Sequence, residues 1–167
     1  MDGIKNLLRA ACSKYSAFDD LVISKASELN MPLIGGTALE VLGSHFNNPG
    51  CRKRSENDLD FIATDANNLD SFQEWLFGNI DSSRVSVDVY LADENVLRYS
   101  MSANGVRVMR PEYLIWAKLT RPDRSQKDLD DIKWLLSIKQ MSDDDLSAAL
   151  NDLGVTDAEI NTLNTLL

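Results

Sequence analysis

Two patterns of apolar positions divide the chain, and they change over near Pro111. Ile4, Leu7, Leu8 and Ala11, then Phe18, Leu21, Val22, Ala26 and Leu29, recur at helical spacing and predict two amphipathic helices within residues 4–29. Met31-Pro32-Leu33-Ile34 predicts a short buried strand ended by Gly35-Gly36. Thr37, followed at helical distance by Glu40, has the form of a capping box opening a helix to about Leu42. Residues 43–57, with Gly43, Asn47, Asn48, Pro49, Gly50 and the basic run Arg52-Lys53-Arg54, predict a long loop. Leu59, Phe61 and Ile62 mark a strand over Asp58–Ala63, and Leu69, Phe72, Trp75 and Leu76 mark a helix over 69–77. Val85–Leu91 alternates β-branched and aromatic residues with polar ones and is the clearest strand; Val96–Tyr99 and Val106–Met109 extend the sheet. Beyond Pro111 the period turns helical, with segments expected at 111–120, 126–138, 142–152 and 156–166. The fold class is α+β: one compact domain, with the helical remainder after Pro111 as a subdomain packed against the sheet.

Composition narrows the function classes. A length of 167 residues, 44% hydrophobic and 26% charged, suits a globular domain rather than a disordered or fibrous chain. The apolar runs are too short to span a bilayer, and the start Met1-Asp2-Gly3-Ile4-Lys5 has no secretory pattern, so a cytoplasmic protein with no membrane partner is expected. Cys12 and Cys51 form no CxxC pair, and His45 has no Cys or second His beside it, which argues against a zinc site. A net charge of −9 argues against a broad nucleic-acid-coating surface.

Carboxylates are therefore the ligand set to consider. Side chains two apart on a strand share a face, so Asp58 and Asp60 project together while Leu59 and Phe61 face the core. Their repulsion is relieved by a hard cation such as Mg²⁺. Asp88, between Val87 and Val89, supplies a third acid; if its strand lies beside Asp58–Ala63, the three can hold two ions in the manner of phosphoryl-transfer sites. The competing reading is a solvated row of acids on the open face of an antiparallel sheet. Gly35-Gly36-Thr37 stands at a strand-to-helix turn whose free N–H groups favour an anion such as a phosphate, although a Gly-Gly pair before Thr is also an ordinary tight turn.

Taken in order, Leu33-Ile34-Gly35-Gly36-Thr37-Ala38-Leu39, Asp58-Leu59-Asp60-Phe61 and Val87-Asp88-Val89 resemble the nucleotidyltransferase superfamily, which includes polymerase-beta-like enzymes. Within it the chain is similar to the abortive-infection toxin-type nucleotidyltransferases of bacterial toxin–antitoxin and phage-defence systems. That likeness extends to Pro111–Leu119 and Arg124–Ile132, about residues 31–136 in all. One departure stands just upstream of Asp58, where Glu56 takes a position commonly Ser or Thr, and Ser55 lies one residue further back.

The resemblance implies a nucleotidyltransferase-like mixed sheet with flanking helices: a catalytic core over 1–110 with N-terminal helices, and a C-terminal helical segment over 111–167. It implies transfer of a nucleoside monophosphate from an NTP to an acceptor hydroxyl, with release of pyrophosphate. Asp58, Asp60 and Asp88 would be the catalytic residues holding two Mg²⁺ ions, and Gly35, Gly36, Thr37, Lys118 and Lys127 would bind the nucleotide. Arg124, Lys127, Asp128 and Asp131 fall at spacings that predict one charged helical stripe, in which Arg124, Asp128 and Asp131 would support the basic groups or the acceptor. A solvent-facing helix laced with ion pairs is the other reading of that stripe. The acceptor would be a transfer RNA end or a protein, and an antitoxin protein is an expected partner. An aminoglycoside-type antibiotic nucleotidyltransferase and a non-catalytic protein-binding module of the same fold are the alternatives.

Overall fold

The computed structural model describes residues 17–48, 58–81 and 85–167. The expected helix before residue 16, Cys12, Cys51, the basic run Arg52-Lys53-Arg54 and the Ser55-Glu56 pair lie outside the described residues. The chain falls into two compact units that divide between Met109 and Arg110.

The first unit is built on a five-stranded mixed sheet. Its strands are β1 (Leu33–Ile34), β2 (Asp58–Ala63), β3 (Ser86–Leu91), β4 (Ser100–Ala103) and β5 (Val106–Met109), in the spatial order β3-β2-β1-β5-β4. Among the described residues three α-helices accompany them: α1 (Ala17–Glu28), α2 (Gly35–His45) and α3 (Ala66–Asn79). β1 runs antiparallel to β2 and parallel to β5; β2 and β3 run parallel, with α3 as their crossover. Parallel strands need such a helical return, and the side chain of Asp65 caps its start by accepting the Asn67 N–H at 2.8 Å.

β2 explains the layering. Asp58 is exposed and Asp60 half-buried, whereas Leu59 and all of Phe61, Ile62 and Ala63 are buried. One face of the strand is thus polar at its start, and both faces are covered by its end. Leu59 and Phe61 join Val22 and Ala26 of α1, Leu39 and Leu42 of α2 and Phe72 of α3 among the buried residues. Phe61 meets Phe72 edge-on, with ring centroids 5.7 Å apart.

One expectation about the sheet changes. Val96–Tyr99 is no strand: Asp93 accepts the Asn95 N–H at 2.9 Å, and this turn chemistry starts a 3₁₀ helix over Glu94–Tyr99. The strand begins at Ser100 and pairs antiparallel with β5 through Asn104-Gly105, both at positive φ, the geometry of a tight hairpin.

The second unit is helical: α4 (Pro111–Leu119), α5 (Gln126–Ile138), α6 (Asp143–Asp152) and α7 (Asp157–Asn164). Its boundaries follow from capping. Pro111 opens α4; Ser125 with Asp128, and Thr156 with Glu159, form capping boxes on α5 and α7; Ser142 caps α6. Among the described residues no helix is long and apolar enough to cross a membrane.

Candidate active site

In the first unit the site is assembled where β1 passes into α2. Ile34, the last residue of β1, is opposite Asp60 on β2, and Gly35 immediately begins the helix. Gly35 has φ +68°, and a Cβ there would lie 2.1 Å from Asp60 Oδ2. Two independent reasons therefore require glycine: the left-handed backbone and the space taken by the carboxylate. No side chain at the N-cap, Ile34, satisfies the first amides of α2. Asp60 lies against the end of a helix whose field favours negative charge.

The expected capping box at Thr37–Glu40 does not form. α2 opens three residues earlier, with Ile34 rather than Thr37 at the N-cap, because Gly35 turns the chain straight into the helix, so Thr37 is inside the first turn. Its hydroxyl donates instead to the backbone carbonyl of Asp58 at 2.9 Å, tying α2 to the start of β2, and Glu40 is buried.

β3 lies beside β2, and the register pairs Asp60 directly with Asp88 and Asp58 with Ser86. Alternation then puts Asp58, Asp60 and Asp88 on one face of the sheet. This is not an open face of antiparallel neighbours, because the two acid-bearing strands run parallel. Asp58 and Asp88 are exposed and Asp60 half-buried. Among the described residues, no three His, Cys, Asp or Glu side chains are gathered as a metal-holding group. Strand geometry supplies a reason: Asp58 and Asp60 stand roughly 6.6 Å apart along β2, whereas Asp60 and Asp88 are direct neighbours across roughly 4.8 Å. The pair Asp60–Asp88 is thus the compact part of the set, and its all-oxygen donors fit a hard divalent ion.

The remaining predicted residues belong to the second unit. Lys118, on α4, is buried and its ammonium donates to Asp131 Oδ2 at 2.7 Å and to Asp128 Oδ1 at 3.4 Å. Both aspartates are buried on one face of α5. Burial pushes the Asp128 carboxyl up, but the Ser125 N–H and hydroxyl, each 2.9 Å from its Oδ2, with Lys118 and Arg121, outweigh that and hold it below the ordinary carboxylate range. Glu112 goes the other way, raised by burial that the Arg110 guanidinium, 3.6 Å away, only partly offsets.

The single charged stripe expected from Arg124 to Asp131 is therefore corrected. α5 starts at Gln126, so Arg124 precedes the helix and donates to the Leu119 carbonyl. Lys127 is exposed, while Asp128 and Asp131 point inward. Lys118, which interrupts an apolar run, is buried with Asp128 and Asp131, the acids that the resemblance sets to support the basic groups.

No protein-family model and no curated protein sequence matches the chain. Among solved structures, the crystal structure of the Megavirus polyadenylate synthase is similar, with a TM-score of 0.57 at 15% identity, over 82% of this chain. The chain spans about a third of that protein's length, 35%. At this identity the likeness is one of fold. The sheet and its flanking helices form a mixed α/β architecture, a fold shared with that structure.

Proposed function

We propose that this chain is a metal-dependent nucleotidyltransferase, transferring a nucleoside monophosphate from an NTP to an acceptor hydroxyl. One observation carries the reading: the Asp60 carboxylate, seated against Gly35 at the opening of α2, is paired across the sheet with Asp88. That arrangement sets acidic ligands beside a helix end suited to phosphate, on a nucleotidyltransferase-like fold.

In this mechanism Asp60 and Asp88, with Asp58 on the same face, would hold Mg²⁺. The bound ion would neutralise phosphate charge and lower the acceptor's pKa. The amides of Gly35, Gly36 and Thr37 orient the triphosphate, and the Thr37–Asp58 hydrogen bond keeps that turn fixed against β2. Asp88 receives the acceptor proton as the acceptor oxygen bonds to the α-phosphorus; the bond to pyrophosphate breaks, and pyrophosphate leaves. Lys118 and Lys127 belong to the second unit, and the reading stands on the first unit alone. An RNA end or a protein hydroxyl is the proposed acceptor, and a toxin role would show as growth arrest on expression.

The test is incubation with each α-labelled NTP, Mg²⁺, total RNA and cell lysate. The expected result is label joined to one macromolecule with release of pyrophosphate. Absence of transfer, together with no Mg²⁺-dependent nucleotide binding by calorimetry at millimolar ligand, would overturn the proposal.

A further inference from the structure

β3 ends the sheet, with β2 its one neighbour among the described residues. Every residue of β3 is exposed or half-buried, whereas β2 buries Leu59, Phe61, Ile62 and Ala63. An edge strand of this kind presents a row of backbone donors and acceptors to an incoming chain. Its side chains form two distinct rows. Val87 and Val89 are half-buried and Leu91 is 65% exposed, giving an apolar row; Ser86, Asp88 and Tyr90 form the other, with Tyr90 54% exposed.

Charge decides what fits. Between Val85 and Arg98 the acids are Asp88, Asp93 and Glu94, and Arg98 is the lone base. A second copy of this chain, itself at net −9, would bring a further Asp88 row against the first, and like charges across paired strands are destabilising. We infer that the edge of β3 docks an extended, basic segment of another protein. The segment joins the sheet as an added strand, alternating apolar residues against Val87, Val89 and Leu91 with Lys or Arg beside Asp88, so that the docked segment and a bound cation are alternatives at that carboxylate. Main-chain hydrogen bonds give the affinity and the alternating rows give the selectivity.

This inference does not depend on catalysis, and its test reads binding alone. The full chain is titrated against a fluorescent synthetic peptide of about eight residues that alternates Lys with Val and Thr. Saturable binding is expected, weakened about tenfold or more when Glu replaces each Lys, and equally when a central proline removes the strand-forming N–H. Leu91→Lys, a change at an exposed position, is expected to weaken binding comparably without altering the melting temperature. Hydrogen exchange is expected to slow at residues 86–91 on binding. Equal binding of the proline peptide would show attraction by charge alone and overturn the inference. So would slowed exchange elsewhere but not in β3, or self-association of the chain that Leu91→Lys abolishes.

Discussion

Each unit carries a pair of aspartates at close quarters, and the pairs have opposite surroundings. Asp128 and Asp131 are a helical turn apart on α5, both buried, closed on the ammonium of Lys118. Asp60 and Asp88 are neighbours on parallel strands, one half-buried and one exposed, with a helix opening at Gly35 as their backdrop. In the helical pair the chain supplies a countercharge, so that pair stabilises the fold. In the sheet pair the negative charge faces outward, where a cation from solution has access. The same residue type is buried against a lysine in one unit, and in the other stands half-buried and exposed on a sheet face, where it is a candidate for chemistry.

The sharpest way to break this contrast is to remove one charge from each site: an acid of the sheet pair, and the lysine that the helical pair encloses. Asp60→Asn is expected to lower nucleotidyl transfer by roughly 10²–10³-fold or more while leaving the melting temperature within about 4 °C, measured with labelled NTP and by calorimetry. Lys118→Met leaves two buried carboxylates facing each other and is expected to cost about 3 kcal/mol in urea unfolding, with Arg121 near Asp128 limiting the loss. If Asp60→Asn unfolded the chain and Lys118→Met did not, the assignment of roles would be reversed.

Gly35→Ala sharpens the contrast from the backbone side. A methyl group must displace the Asp60 carboxylate at positive φ, at an expected cost of roughly 1–3 kcal/mol. Circular dichroism during urea unfolding measures that cost. The smallest effect is in acid. The fold binds Asp128 in its ionised form and holds its carboxyl low, so its contribution is complete above the ordinary carboxylate range and is lost as pH falls through the lower folded value. Asp128→Asn is expected to flatten that part of the stability–pH curve.

Much of the fold was legible locally. β2 was readable from Asp58 to Ala63 because its apolar positions alternate before merging into a buried end, and the helices after Pro111 because Ser and Thr caps punctuate them. The segment Val96–Tyr99 misled because its apolar content resembles a strand, while the deciding signal was the Asp93 side chain upstream. In the site, the shared face of Asp58 and Asp60 followed from strand period alone. The Gly35–Asp60 contact did not, because it arises from the pairing of β1 with β2, two segments separated by a long loop. Thr37 was misassigned for the same reason: its partner, the Asp58 carbonyl, is distant in sequence. Lys118 likewise shows its destination only after α4 and α5 have packed.

The room reserved at Gly35 has a genetic corollary. All other amino acids carry a Cβ, so every missense change in that codon brings an atom into the space of the Asp60 carboxylate, which must then shift. Gly78, where an added Cβ meets nothing within 4 Å, is the internal reference. In a library covering all single-codon changes, missense variants should be depleted at position 35 relative to position 78, proline excepted.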